Sequence, residues 1–230
     1  MEFFNFDIGK NRIYNVDWLK TIAILAVLLL HCSSKYLLPD FVFQPNWYWG
    51  VFFESLSRFG VPLFIMVSGF LILRKDQPIS SVPRRIKRVL IPFIFWLVVY
   101  VIAKFAMIYH SFDLIQFGYF LIQAFLDPTI VSIEFWFVYM IVGLYIFSPI
   151  ITTWLHNAEI YEIEYFLIVW ALISFVGFSN VDFLLYDYLK YFTGSIGYFI
   201  LGYYLYIKQK SVLKNKNFGL VLFVAGTLLS

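Results

Sequence analysis

The chain has 230 residues, of which 62% are hydrophobic, 23% are aromatic and only 13% are charged. A water-soluble domain has about a quarter of its residues charged, so this composition excludes an ordinary soluble globular protein and indicates a polytopic membrane protein. The net charge of +3 comes from short segments between apolar runs, which gives no support to nucleic-acid binding, and the single cysteine, Cys32, cannot form a disulfide within the chain.

Seven apolar runs are predicted to be membrane-spanning helices, because a helix satisfies its own backbone polar groups in lipid. They cover residues 16–38, 48–73, 89–109, 134–152, 165–179, 191–207 and 217–230. The further stretch 114–126 is short for a full span, so we expect it to lie in the interface or to re-enter. Gly69 and Gly143, within spans, indicate kinks or close helix contacts. The predicted fold is an all-α membrane bundle, with one transmembrane domain over residues 1–230.

The positions of lysine and arginine predict the orientation of these spans. The loop 74–88 contains six basic residues, and the segment 208–216 contains four. Loops on the opposite side contain only Lys35 and Lys190. The N-terminus is therefore predicted to be cytoplasmic, in a protein of the plasma membrane. The stretch 152–165 is also predicted to be a cytoplasmic loop, although it contains three glutamates and no lysine or arginine.

The first predicted span carries ionisable residues that are costly in hydrocarbon. Asp17, Lys20 and His31 lie on one helical stripe, because residues three and eleven apart return to nearly the same face. Aligned ionisable residues on a spanning helix usually face a polar interior. The alternative is that Asp17 and Lys20 snorkel to water while His31 marks the outer boundary. Histidine titrates near neutral pH and suits a general base, and His31 is the only histidine within a predicted span.

The second and third spans contain further charges. Glu54 and Arg58 are four residues apart, so they share a helical face and can form an ion pair. Either the pair only makes burial tolerable, or Arg58 binds an anionic group or polarises a carbonyl. Glu54 is also a candidate partner for His31, because Asp17 lies about 20 Å away along the first helix. Lys104 either snorkels outward or has a functional role.

Four stretches, in order along the chain, resemble the membrane-bound acyltransferase-3 family, whose members acylate sugars of surface polysaccharides and lipid-linked glycans. "VDWLKTIAILAVLLLH" carries the family's basic residue and histidine with ten residues between them, at Lys20 and His31. "SRFGVPLFIMVSGFLI" is similar to the family's second helix. "RRIKRVLIPF" is similar to the basic loop that opens the third helix, with Arg85 and Arg88 in the R-x-x-R positions. "EFWFVYMIVGLYIFSPII" is similar to a later helix, with Glu134 where many members have histidine.

The resemblance extends over residues 15–207 and implies a membrane O-acyltransferase. It implies that an acetyl group moves from cytoplasmic acetyl-CoA to a sugar hydroxyl of a glycan or glycolipid, without a metal. Family members usually have about ten spans, so the chain is expected to be C-terminally incomplete. The implied catalytic residues, together with those that the charge pattern adds, are His31, Lys20, Glu54 and Arg58. The implied residues for the phosphates of coenzyme A are Arg85 and Arg88.

Other interpretations stay open at this point. A polytopic transporter or exporter of a polysaccharide or small solute would also line its path with ionisable groups, but no paired repeats with broken helices are visible. The basic loop 74–88 would bind anionic lipid headgroups without any further role. The expected partners are membrane lipid and a glycan or lipid-linked sugar acceptor, with no nucleic acid, and a homo-oligomer remains possible.

Overall fold

The computed structural model of the chain describes residues 14–38, 42–109, 113–178 and 194–208. Within these ranges the structure is helical and contains no strand, which confirms the predicted all-α membrane bundle. The α-helices are α1 (Tyr14–Ser34), α2 (Pro45–Ser57), α3 (Gly60–Leu73), α4 (Val82–Ile108), α5 (Leu114–Leu126), α6 (Trp136–Asn157), α7 (Ile160–Phe178) and α8 (Ile196–Ile207). Short 3-10 turns cover Lys35–Leu37, Ile79–Ser81, Pro128–Ile130 and Ile133–Phe135.

Four helical stretches among the described residues are long and apolar enough to cross a membrane. They are Tyr14–Leu37, Pro45–Leu73, Ile79–Ile108 and Ile133–Asn157, and they correspond to the first four predicted spans. Helix α7 includes most of the run 165–179, and α8 is a shorter apolar helix within 191–207. The predicted span 217–230 lies outside the described residues.

The second of these stretches is divided into two helices. Helix α2 ends at Ser57 and α3 begins at Gly60, where the sequence predicted one continuous run over 48–73. Pro62 explains the break, because proline has no N–H to donate to the carbonyl four residues earlier and its ring clashes with that carbonyl.

The acidic stretch 152–165 is mostly helix and not the loop predicted from the sequence. Helix α6 continues to Asn157 and α7 begins at Ile160, so only Ala158 and Glu159 lie between the two helices. The helices extend beyond their apolar runs because Glu and Thr are compatible with a helix that leaves the hydrocarbon, so hydropathy alone underestimates helix length.

The described helices belong to two compact units. The first unit comprises Met1–Lys75 and Ala158–Ser230 and contains α1, α2, α3, α7 and α8. In it α1 packs against α2 and α3, and α3 packs against α8. The approach of α3 to α8 is unusually close, since a Cβ added to Gly69 would lie 1.9 Å from the carbonyl oxygen of Phe199. The close helix contact predicted at Gly69 is present, whereas a Cβ at Gly143 would meet nothing within 4 Å.

The second unit, Asp76–Asn157, is built on the long helix α4. Its core contains Phe93 and Val101 of α4 together with Ala124 of α5. The ring of Phe135 lies 5.4 Å from that of Phe93 and 5.3 Å from that of Tyr100. The start of α6 therefore lies beside the middle of α4. Helix α5 is about 20 Å long, which is short for a full span, and it packs on α4. Its interfacial or re-entrant position stays a prediction.

Candidate active site

Helix α1 places Lys20 and His31 along one edge of its packed face. Val16, Ala23 and Ala26 are buried on that face, whereas Lys20 and His31 are both half-buried. Eleven residues of helix correspond to about 16 Å, so the two side chains lie at different depths along α1. This separation is too large for Lys20 and His31 to contact the same reacting atom, so any role of one differs from that of the other.

Contacts between α1 and α2 set the level of Glu54 relative to His31. Helix α1 runs antiparallel to α2 and α3, because a Cβ at Gly50 of α2 would face Ser33 and Tyr36, and a Cβ at Gly60 of α3 would lie 2.9 Å from the carbonyl oxygen of Ala23. Glu54, four positions after Gly50, therefore lies at about the axial level of residues 29–32, which include His31. This is a level along the helix axis only, since His31 is about 200° around α1 from Ser33. Glu54 also lies on the face of α2 that turns towards α1, because Gly50 and Ser57 on that face are buried.

The ion pair expected between Glu54 and Arg58 is present. Arg58 Nε lies 2.9 Å from Glu54 Oε2, and the Glu54 side chain is the better buried partner, 14% exposed against 45% for Arg58. The pair holds the Glu54 carboxylate on the face of α2 that packs on α1. Arg58 is the C-cap residue of α2, where a cation also interacts favourably with the helix dipole.

Arg85 and Arg88 of the second unit differ in their surroundings. Arg85 lies in the first turn of α4, and its Nη2 donates a hydrogen bond to Oε1 of the buried Gln77. Its Nη1 is buried and has no hydrogen-bond partner among the described residues. Arg88, three residues further, is exposed. Arg85 is therefore held in place, with one donor left over for a ligand, whereas Arg88 is free to adapt.

The half-buried Lys104 makes a defined contact within the second unit. Its Nζ donates a hydrogen bond of 2.7 Å to the backbone carbonyl of Ile130, in the turn that follows α5. This contact ties the second half of α4 to the connection between α5 and α6. This contact gives Lys104 a structural role, and its outward snorkelling stays a prediction.

Two further charged sites were not recognised in the sequence. Arg74 follows α3 directly and was counted only among the basic residues of loop 74–88, yet two of its guanidinium nitrogens are buried. A possible signal was its position four residues after Phe70, on the same face of an apolar helix.

The second site links α7 to α8. Glu164 accepts hydrogen bonds from Tyr204 Oη, at 2.7 Å, and from Lys208 Nζ. The hydrogen bonds from Lys208 and Tyr204 lower the pKa of Glu164, and the bond to Glu164 raises the pKa of Lys208. Both groups are therefore charged at neutral pH, and their pairing weakens as pH falls through the lowered pKa of Glu164. The sequence offered no signal, since forty-four residues separate the partners.

The sequence-predicted residues thus fall into two groups. Lys20, His31, Glu54 and Arg58 share the first unit, on the packed pair α1 and α2, while Arg85 and Arg88 belong to α4 of the second unit. The described residues contain no group of three or more His, Cys, Asp or Glu side chains that could hold a metal ion.

Comparison with known proteins gives two matches. The sequence matches the family described as the acyltransferase domain over residues 13–230, nearly the whole chain. It is 30% identical over 106 residues to nodulation protein NolL of Sinorhizobium fredii (strain NBRC 101917 / NGR234). That alignment covers 44% of this chain and 28% of the relative, so the chain spans much less than the relative's full length. No solved structure matches the chain significantly.

Proposed function

Because the chain belongs to the acyltransferase-3 family of membrane acyltransferases, we propose that it moves an acetyl group from acetyl-CoA to a sugar hydroxyl. The acceptor in this proposal is a glycan or a lipid-linked sugar, and the donor approaches from the cytoplasm. The family that the sequence predicted is confirmed by the match over residues 13–230, and the activity is part of this proposal. The donor and the acceptor come from the likeness to this family, and the residue roles below are argued from the charges and positions of the described side chains.

The observation that carries the proposal is the half-buried position of His31 on α1, which packs against α2, and the helix rise indicates an axial level for His31 close to that of Glu54. In acyl transfer the hydroxyl oxygen of the acceptor forms a bond to the thioester carbonyl carbon while its proton moves to a base. His31 is that base, and the carboxylate of Glu54 orients the imidazole and stabilises it once it is protonated. The C–S bond then breaks, and the sulfur of coenzyme A leaves with a proton returned by the imidazole.

The positively charged residues stabilise the negative charges of the reaction, which are the oxyanion and the phosphates of coenzyme A. The carbonyl oxygen becomes an oxyanion when the acceptor attacks, and a fixed positive group stabilises it. We assign that task to Arg58, whose Nε lies 2.9 Å from Glu54 Oε2. Lys20 lies about 16 Å from His31 along α1, at the end predicted to face the donor side. Arg85 and Arg88 bind phosphates of coenzyme A, and the buried Nη1 of Arg85 is a donor available for a phosphate oxygen.

Replacement of His31 tests the proposed chemistry. A general base contributes about 10²- to 10⁴-fold to rate, so His31→Ala should lower kcat at least a hundredfold while coenzyme A binding is retained. His31→Gln keeps hydrogen bonding but cannot take a proton at neutral pH, so it should be as inactive as alanine. The measurement is release of free coenzyme A from acetyl-CoA in the presence of candidate glycans.

Cys32→Ser supplies a matched background for this assay. Cys32 is an exposed thiol that would react with the reagent that detects coenzyme A, and it adjoins His31 on α1. We expect the Cys32→Ser enzyme to retain activity. Near-normal turnover by His31→Gln in that background would leave the proposed mechanism without its base.

A further inference from the structure

A half-buried arginine at the end of α3 has no anionic partner among the described residues. Arg74 is the C-cap residue of α3, and its Nε and Nη1 are buried without a hydrogen-bond partner among the described residues. None of the ion pairs found in the described part of the chain includes Arg74. Its Nε and Nη1 are therefore two unused donors on a group that always carries a positive charge.

Contacts with aromatic rings fix the position of this guanidinium. Its central carbon lies 5.1 Å from the centroid of the Phe70 ring, in a cation–π arrangement. Phe70 is itself buried and packs on Tyr206 of α8, with ring centroids 5.1 Å apart. The side chain of Arg74 is thus oriented by packing in the first unit before any ligand arrives.

Structural roles do not account for the burial of Arg74. A cation at a helix C-terminus gains from the helix dipole, and the stacking on Phe70 adds a cation–π attraction. Neither effect provides an acceptor for the N–H groups of the buried Nε and Nη1 atoms, and a buried donor without an acceptor is costly. A negatively charged acceptor would satisfy the buried N–H groups of Arg74 and would also pair its positive charge.

We propose that the guanidinium of Arg74 binds a phosphate group. The planar arrangement of its N–H donors matches phosphate oxygens, and Arg74 lies at the end of α3 that the charge pattern predicts to face the cytoplasm. A phosphate at this place belongs either to coenzyme A or to the headgroup of a membrane lipid. Assignment to coenzyme A rests on the function proposed above, whereas phosphate binding by Arg74 does not.

Two replacements of Arg74 and one control test this proposal. Arg74→Gln removes the charge, and Arg74→Lys keeps the charge but loses the planar set of donors. Arg84→Gln is the control, because Arg84 is an exposed arginine of the same basic segment and has no role in the proposed site. The purified variants in neutral detergent are titrated with coenzyme A and, separately, with phosphatidylglycerol, and the Kd is measured for each ligand.

We expect Arg74→Gln to raise the Kd for one of these two ligands by about tenfold or more, since one charge-assisted hydrogen bond is lost. Arg74→Lys should show a smaller increase, and Arg84→Gln a change of less than about twofold, as for an exposed screened charge. A raised Kd for coenzyme A would mean that Arg74 binds a phosphate of the donor. A raised Kd for phosphatidylglycerol would mean that it binds a lipid headgroup.

Unchanged Kd values for both ligands in Arg74→Gln would overturn the proposal. Folding is judged by circular dichroism and size-exclusion chromatography. If Arg74→Gln does not fold, unchanged Kd values for both ligands in Arg74→Lys would overturn the proposal instead. A wild-type protein that does not bind coenzyme A would contradict the proposed donor. The titration with phosphatidylglycerol would still test Arg74 in that case, so the two failures are distinguishable.

Discussion

The charged residues of α1 and α2 show how a membrane helix pair can carry ionisable groups. Glu54 is compensated by Arg58 one turn away, and the pair sits at the level of His31 on the neighbouring helix. A carboxylate that is held in this way is available to a third group without being left as an isolated buried charge. The ion pair is therefore compatible with both interpretations of Glu54, as a self-compensating charge and as the partner of His31.

Removal of Glu54 and of Arg58, one at a time, separates these interpretations. Glu54→Gln removes the less exposed charge of the pair and should fold with nearly the wild-type thermal midpoint, whereas Arg58→Gln leaves the 14% exposed carboxylate of Glu54 unpaired and should lower the midpoint somewhat. We expect Glu54→Gln to lower kcat by at least about tenfold and to change the pH dependence of kcat, because the base loses its orienting carboxylate. Steady-state kinetics over a pH series measures both effects.

Arg58→Gln is the matched variant, since it breaks the same ion pair and leaves the carboxylate in place. Its pH profile of kcat should keep the wild-type shape. Identical losses and identical pH profiles in the two variants would mean that the pair acts as a unit and that Glu54 has no separate effect on His31.

Residue-level prediction from the sequence succeeded where spacing alone determines the contact. The pairing of Glu54 with Arg58 follows from the four-residue separation, whereas the hydrogen bond from Lys104 to the carbonyl of Ile130 depends on the path of the chain after α5. The burial of Arg74 was likewise unpredictable, because it depends on how Phe70 packs on α8.

At the scale of helices, the contact between α3 and α8 depends on the absence of side chains at two positions. A Cβ at Gly69 would lie 1.9 Å from the carbonyl oxygen of Phe199, and a Cβ at Gly202 would lie 1.9 Å from that of Met66. Both clashes involve backbone atoms, which cannot rotate away. In lipid, helix association relies on such close packing, because the hydrophobic effect does not favour one apolar surface over another.

Alanine at either of these glycines should therefore separate α3 from α8. We expect Gly69→Ala and Gly202→Ala each to destabilise the protein by at least about 1–3 kcal/mol, as for other overpacked sites. Gly118→Ala and Gly143→Ala are matched controls, because a Cβ at either position meets nothing within 4 Å. In the controls alanine should be neutral or stabilising by up to about 1 kcal/mol, since it favours the helix.

Thermal unfolding of the purified protein in detergent measures these differences. Equal midpoints for the Gly69→Ala and Gly143→Ala proteins would contradict the close contact between α3 and α8.

Helix boundaries were less predictable than helix existence, for identifiable reasons. Hydropathy located the apolar runs that lie in the described part of the chain, but it could not show that the run 48–73 is divided near Pro62 or that α6 and α7 extend into the acidic stretch 152–165. Glu164 illustrates the difficulty, because its stabilising partners, Tyr204 and Lys208, come from another helix far along the chain.

At the scale of the whole molecule, composition and four short motifs predicted a helical membrane acyltransferase, and the family match over residues 13–230 agrees. Such features are recognisable because lipid restricts spanning structure to helices and because the motifs keep fixed spacings. The grouping of helices into two compact units was not predicted, since no soluble linker or change of composition marks Lys75 or Ala158.

Orientation in the membrane is the remaining prediction at this scale, and it rests on the basic residues of loop 74–88. The structure supplies two exposed positions for a test, Asn46 in the first turn of α2 and Ser80 in the turn Ile79–Ser81. Starting from Cys32→Ser, an impermeant thiol reagent applied to intact cells should label Asn46→Cys and leave Ser80→Cys unlabelled. Labelling of both after the membrane is opened is the control for reactivity. The reverse pattern in intact cells would place the N-terminus outside and move the basic segment, with Arg74, Arg85 and Arg88, away from cytoplasmic acetyl-CoA.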